Sequence, residues 1–247
     1  MRGYYLCSMK RFLIVIALII SFQSAKSQYN DSTFHHITLS STGSINKTND
    51  DKAYLLNNSL SWGIKRNDIV LNSSNTWLYG KQNGNLSNND FSSSLNFNLY
   101  KTLPHFYYWG LLNYNTSYSL KVKNQFLGGL GVAYSFLDKD DAYLNISDGV
   151  LYDKSSLVEG ENYNTYRNSL RLNYYFEFKG LLSISGNHFL QSSFSRKNDY
   201  IIRSSTTLGL KLKKWISLTA SLNYNKMNVT HSENLNFTYG LILDKYF

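Results

Sequence analysis

One pattern constrains this chain more than any other: apolar and polar residues alternate one by one over segments of roughly ten to fourteen residues, repeated along most of its length. Successive side chains of a strand point to opposite faces, so each segment reads as a strand with one apolar and one polar face. Tyr54, Leu56, Leu60, Trp62 and Ile64 alternate with Asn57, Ser59, Ser61 and Lys65. Tyr166, Leu170, Leu172, Tyr174, Phe176 and Phe178 alternate with Arg167, Ser169, Arg171, Asn173 and Glu177. Tyr200, Ile202, Leu208, Leu210 and Leu212 alternate with Arg203, Ser205, Thr207 and Lys211. Weaker segments lie near 34–43, 69–80, 106–117 and 143–152. The pattern predicts about twelve strands that are too long for a soluble sheet, where ~5–6 residues is usual, and long enough for tilted membrane strands of ~9–11.

The connections alternate too. Long polar stretches such as Asn46–Lys52, Lys81–Asn89 and Asp153–Asn162 take turns with short ones such as Arg66-Asn67-Asp68 and Lys179-Gly180. Membrane barrels have this asymmetry, with short periplasmic turns and longer outer loops. A soluble open sheet with one fully apolar face needs a second layer, and no segment of helical period is available to supply it. In lipid every backbone donor and acceptor must be satisfied internally, so the sheet must close. The expected fold is therefore all-β: a transmembrane antiparallel up-and-down barrel of about 12 strands. The 21 Tyr, 14 Phe and 4 Trp, against the single Pro104, suit such a fold. Aromatics are expected at both membrane interfaces, with Tyr100, Tyr108, Trp109, Phe136, Phe178, Trp215 and Phe247 at the periplasmic ends. Tyr54, Tyr79, Phe91, Tyr166, Phe194 and Tyr200 are expected at the outer ends.

The one long apolar run, Phe12–Ile20, is too short for a spanning helix, which needs ~20 residues. Lys10 and Arg11 precede it and Ala25-Lys26-Ser27 follows, the order of a secretory signal peptide. Residues 1–27 are read as a cleaved signal and 28–247 as a single barrel domain beginning near Gln28, with Met1 or Met9 as the start. Cys7 lies before the run, so the mature chain carries no cysteine and no disulfide framework or thiolate metal site. Cleavage removes Arg2, Lys10, Arg11 and Lys26, and the formal charge falls from +9 to 21 basic against 16 acidic residues. These basic residues are scattered singly, which argues against nucleic acid as a partner. The final alternating segment runs to Phe247, an aromatic that outer-membrane assembly machinery recognises in many barrels, although Lys245 departs from the usual terminal pattern. The expected location is the outer membrane, with its lipid and its assembly machinery as partners.

The Gly-rich stretch 126–138, Phe-Leu-Gly-Gly-Leu-Gly-Val-Ala-Tyr-Ser-Phe-Leu-Asp, followed by Tyr143–Gly149, resembles the salt-induced outer-membrane protein family, domain of unknown function 481. The quoted motif covers about a tenth of the chain, and Gly-aromatic strands recur in other barrels. The resemblance implies an outer-membrane barrel without assigned catalytic residues, and the sequence itself suggests no cofactor and no dedicated metal site.

Little in the chain suggests catalysis. A hydrolase needs a nucleophile or water activated by a His with an orienting acid, converging from separate elements. Only His231, Ser232 and Glu233 have suitable residue types, and they are sequential neighbours. A lipid- or peptide-modifying barrel enzyme is the alternative reading they leave open. His188 shares the parity of Leu182, Ile184 and Leu190 and is expected to face outward. Asp138, Asp140 and Asp141 read as a solvated turn rather than a calcium site. The polar parity carries more information. Lys65, Arg167, Arg171, Arg203 and Lys211 fall on it, opposed chiefly by Glu177, and are the expected pore-lining residues. Glu177 and Lys211 lie toward one end and would largely cancel. Arg167, Arg171 and Arg203 would then form an uncompensated cluster. Arginine stays protonated at physiological pH, so such a lumen would favour anions weakly. A plugged barrel with paired lumenal charges, acting as a structural or interaction protein, is the competing expectation.

Overall fold

The computed structural model describes residues 34–103, 105–139, 141–158, 160 and 162–246. The signal segment 1–27, its cleavage position and Phe247 lie outside the described residues. The described chain is a closed antiparallel barrel of twelve strands in which each strand pairs with its neighbours in sequence and β1 closes on β12. The strands are β1 (Phe34–Lys47), β2 (Lys52–Arg66), β3 (Ile69–Gln82), β4 (Asn85–Leu103), β5 (Phe106–Ser117) and β6 (Val122–Lys139). They continue with β7 (Ala142–Leu157), β8 (Asn162–Phe178), β9 (Leu182–Ser193), β10 (Tyr200–Lys213), β11 (Ile216–Met227) and β12 (Ser232–Tyr246).

The alternation dictates which face is which. Outward residues are large and apolar: Leu130 is 72% exposed, Leu235 65% and Phe237 57%. Inward residues at the same heights are buried or polar, such as Leu127, Ala133 and Thr238. A soluble barrel would place these residues the other way round, because apolar surface left in water forfeits about 25 cal/mol per Å². The outward face is therefore a hydrocarbon-facing surface. His188 lies on it, with Nδ1 2.7 Å from Ser204 Oγ and its ring stacked on Tyr174.

The turns are tighter than the polar composition implied. At one end the connections are 67–68, 104–105, 140–141, 179–181 and 214–215, and this turn end also holds the start of β1 and the end of β12. At the opposite loop end they are 48–51, 83–84, 118–121, 158–161, 194–199 and 228–231. The stretch Lys81–Asn89, expected to be a long loop, is a hairpin instead. Asn83 and Gly84 take φ of 50° and 83°, the left-handed pair that a tight hairpin needs and that Asn-Gly supplies at little cost. The polar residues on either side extend β3 and β4 beyond the hydrophobic band. Likewise Asp153, assigned to a loop by its polarity, lies within β7 and faces inward.

The interfacial placement also needs two corrections. Tyr108, Phe136, Phe178 and Trp215 are outward and between 48% and 59% exposed, whereas Trp109 is 3% exposed and points into the barrel. Tyr100 also faces the lumen, stacked on Tyr107 in the wall of an interior cavity. The unbroken aromatic run Phe106-Tyr107-Tyr108-Trp109 carries no alternation from which the direction of Trp109 can be read.

Candidate functional site

The lumen is filled from one wall. On β5, Tyr107, Trp109 and Leu111 project inward and pack with Ala133 of β6 and Leu151 of β7. The Gly-rich stretch makes this possible. A Cβ on Gly131 would stand 2.6 Å from the Trp109 ring, and one on Gly149 2.5 Å from it. The two glycines leave a slot in which the indole lies against bare backbone, and Trp109 Nε1 donates to the Val132 carbonyl at 3.2 Å. The motif thus has a packing role.

Toward the loop end the same wall holds a buried charge cluster. Arg167 of β8 is fully buried. Its Nε donates to Asp153 Oδ2 at 2.6 Å, while Nη1 and Nη2 reach Asp199 Oδ1 and Oδ2 at 2.8 and 3.0 Å. Nη2 also donates to the Tyr163 hydroxyl at 3.1 Å. Asp153 accepts further from Ser155 and from Gln125 Nε2, and Gln125 Oε1 accepts from Arg203 Nη2 at 3.0 Å. Arg167 and Arg203 therefore sit in one network with Asp153 and Asp199. The expected cluster of three uncompensated arginines is replaced by a balanced group plus one cation, Arg171. Burying Arg167 unpaired would be strongly unfavourable, and two carboxylates make its burial tolerable.

Arg171 lies four residues further along β8 on the same face and has a different environment. Its guanidinium carbon sits 5.1 Å from the Trp109 ring centroid and 4.6 Å from that of Phe189. Such cation–π contacts orient the group without neutralising it. Arg171 Nε has no hydrogen-bond partner, and neither do the nearby buried atoms Asn145 Oδ1, Ser147 Oγ, Ser169 Oγ, Asn173 Oδ1 and Gln191 Oε1.

At the turn end the charges pair. Lys211 Nζ lies 2.9 Å from Glu177 Oε2, and Glu177 also accepts from Tyr175. Asp244 accepts from Thr38 and lies 3.2 Å from His36 Nε2. Lys65 is on the inward parity of β2 but exposed near the turn at 67–68, away from the Arg171 region.

Three cavities follow one another through the lumen. One of about 290 Å³ at the loop end includes Asp90, Asn115 and Arg203 in its walls. A middle one of about 460 Å³ includes Arg203, Arg171, Asn145, Asn173 and Tyr143. One of about 560 Å³ at the turn end includes Tyr143, Glu177, Lys211 and Asp244. Ser92 and Arg203 border the first two, and Tyr143 the last two.

Sequence reasoning missed Asp153, Asp199, Gln125, Phe189 and the inward Trp109. The parity of Asp153 with Ser147 and Leu151 was an available signal for it. Asp199 carries none, because it enters from the 194–199 loop. His231, Ser232 and Glu233 do not converge: Glu233 is engaged by Tyr224 Oη at 2.9 Å and Lys226 Nζ at 3.5 Å, and His231 has a left-handed backbone closing a turn.

The sequence model of a family described as "Protein of unknown function, DUF481" matches residues 28–242. Among curated proteins, none matches the chain significantly. The fold is similar to that of the NanC porin, with TM-score 0.52 at 10% identity over 86% of this chain and 99% of that one. The translocator domain of the autotransporter NalP from Neisseria meningitidis superposes with TM-score 0.45 at 11% identity, over 97% and 95% of the two chains. An outer-membrane channel from Pseudomonas putida F1 gives TM-score 0.45 at 12% identity, over 91% and 98%.

Proposed function

The chain belongs to the family described as protein of unknown function, DUF481, and on that premise we propose that it is an outer-membrane barrel acting as a narrow, weakly anion-selective channel. The outward hydrocarbon-facing surface supports the membrane location, and the shared fold with a porin supports the class. The turn end then faces the periplasm, as short turns do in such barrels.

The observation that carries the selectivity is the wall of the middle cavity. It contains Arg171 and Arg203 and, among the described residues, no carboxylate. A cation in the wall of a narrow pore attracts anions and repels cations, and low-dielectric protein walls screen it less than bulk electrolyte would. Because the other buried charges are balanced, the preference is weak and rests on Arg171.

Reversal potentials of the purified barrel in planar bilayers under a potassium chloride gradient test this. We expect preference for chloride, reduced in Arg171→Gln and insensitive to pH across the neutral range. Cation preference in the unaltered protein overturns the assignment, and absence of conductance leaves a closed structural barrel. Fractionation tests the location: recovery in soluble periplasm would overturn it. Deletion of Phe247 is expected to impair insertion without impairing export, and normal membrane levels of that variant would remove the role given to this residue.

A further inference from the structure

We propose that the middle of the lumen is a binding site for a small hydroxylated carboxylate, on the scale of a sugar acid, held by Arg171. Five inward strand positions around Arg171 present buried polar atoms without partners: Asn145, Ser147, Ser169, Asn173 and Gln191. Ser169 is fully buried, Gln191 is 2% exposed and Ser147 3%. Native structures leave few such atoms unsatisfied, because a buried polar atom without a partner has lost its water and gained nothing in return. Four of the six atoms, on Asn145, Arg171, Asn173 and Gln191, stand in the walls of the middle cavity, on three adjacent strands and one face.

The chemistry of the set selects its ligand. Arg171 Nε is a donor bearing charge and needs an anionic acceptor. Asn145 Oδ1, Asn173 Oδ1 and Gln191 Oε1 are acceptors and need hydroxyl or amine donors. An inorganic anion such as chloride or sulfate supplies the first need and none of the second. A neutral sugar supplies the second and not the first. A carboxylate carrying hydroxyls supplies both, while Tyr107 and Phe189 in the same walls add apolar contact for its carbon skeleton. A volume of about 460 Å³ is within the usual range for small-ligand sites, ~300–1,000 Å³. Arg171 is suited to the task because Trp109 and Phe189 hold its guanidinium in place while, among the described residues, no carboxylate pairs with it.

This inference rests on the channel reading only for the route by which a solute arrives. Isothermal titration of the full mature barrel in detergent with glucuronate, glucose and sodium sulfate tests it. Glucuronate should bind at least about tenfold more tightly than either comparison compound, since a charged hydrogen bond and several neutral ones are at stake. Arg171→Gln should weaken glucuronate at least about tenfold. Gln191→Leu, which keeps the cation, should weaken glucuronate while leaving sulfate unchanged, and heat-modifiable gel migration would show that both variants are folded. Equal affinity for glucuronate and sulfate, or an unchanged affinity in folded Arg171→Gln, overturns the site. Binding without conductance would defeat the channel reading alone, and conductance without glucuronate binding would defeat this one alone.

Discussion

The two halves of the barrel wall are built from the same alternation and end in opposite states. On β5 to β8 the inward positions hold Tyr107, Trp109, Leu111, Leu127, Leu151 and Arg167, all buried and together filling their side of the lumen. On β1 to β4 they hold Thr38, Ser40, Asn57, Ser59, Asn72, Ser74 and Ser94, which are only half-buried and leave open space. Both sets are inward by parity, so parity decides the direction of a side chain and its volume decides whether the lumen stays open. The filled wall also needs its glycines: Gly131 and Gly149 have no counterpart of that kind among the inward positions of β3 and β4 at mid-height, where small polar side chains leave nothing bulky to receive.

The largest effect expected from this contrast is at Asp153. Asp153→Asn removes half of the charge facing Arg167 and Arg203 and should cost about 3–5 kcal/mol, read from the urea midpoint of the barrel in lipid vesicles. The same change at half-buried Asp90 on the open side, where Ser117 and Ser119 donate to the carboxylate, should cost about 1 kcal/mol. Equal losses at the two sites would break the comparison.

Trp109→Ala comes next. It should cost about 3 kcal/mol and raise single-channel conductance, because the vacated slot joins the open side. Stability lost without any rise in conductance would place the ion route elsewhere. Lys211→Met breaks an ion pair whose lysine is 42% exposed, and the expected loss is under about 1 kcal/mol at low ionic strength, shrinking further as salt is added. The smallest effect belongs to Ser74→Ala on the open wall, within about 0.5 kcal/mol by the same unfolding measurement. A larger value there would mean that the polar wall is packed after all.

The barrel itself was legible in the sequence because strand periodicity is a local property. The apolar runs of β2, β8 and β12 announce the outward face even though Leu55, Tyr163 and Ile242 point inward, and the length of the runs announces a membrane. The inward direction of Arg167, Arg171 and Arg203 followed from the same rule. Strand ends were harder, since Lys81–Asn89 and the Asp153 region are polar extensions of strands that composition alone equates with loops. What only the tertiary structure decided is which lumenal charges meet. Arg167 and Asp199 are 32 residues apart, and Arg203 and Gln125 are 78 apart. Their contacts depend on shear, on closure of β1 against β12 and on how deeply the 194–199 loop enters the barrel. None of these leaves a trace in a single strand's pattern. A period of two fixes the face of a side chain, whereas its partners across a barrel are set by the geometry of closing the whole sheet.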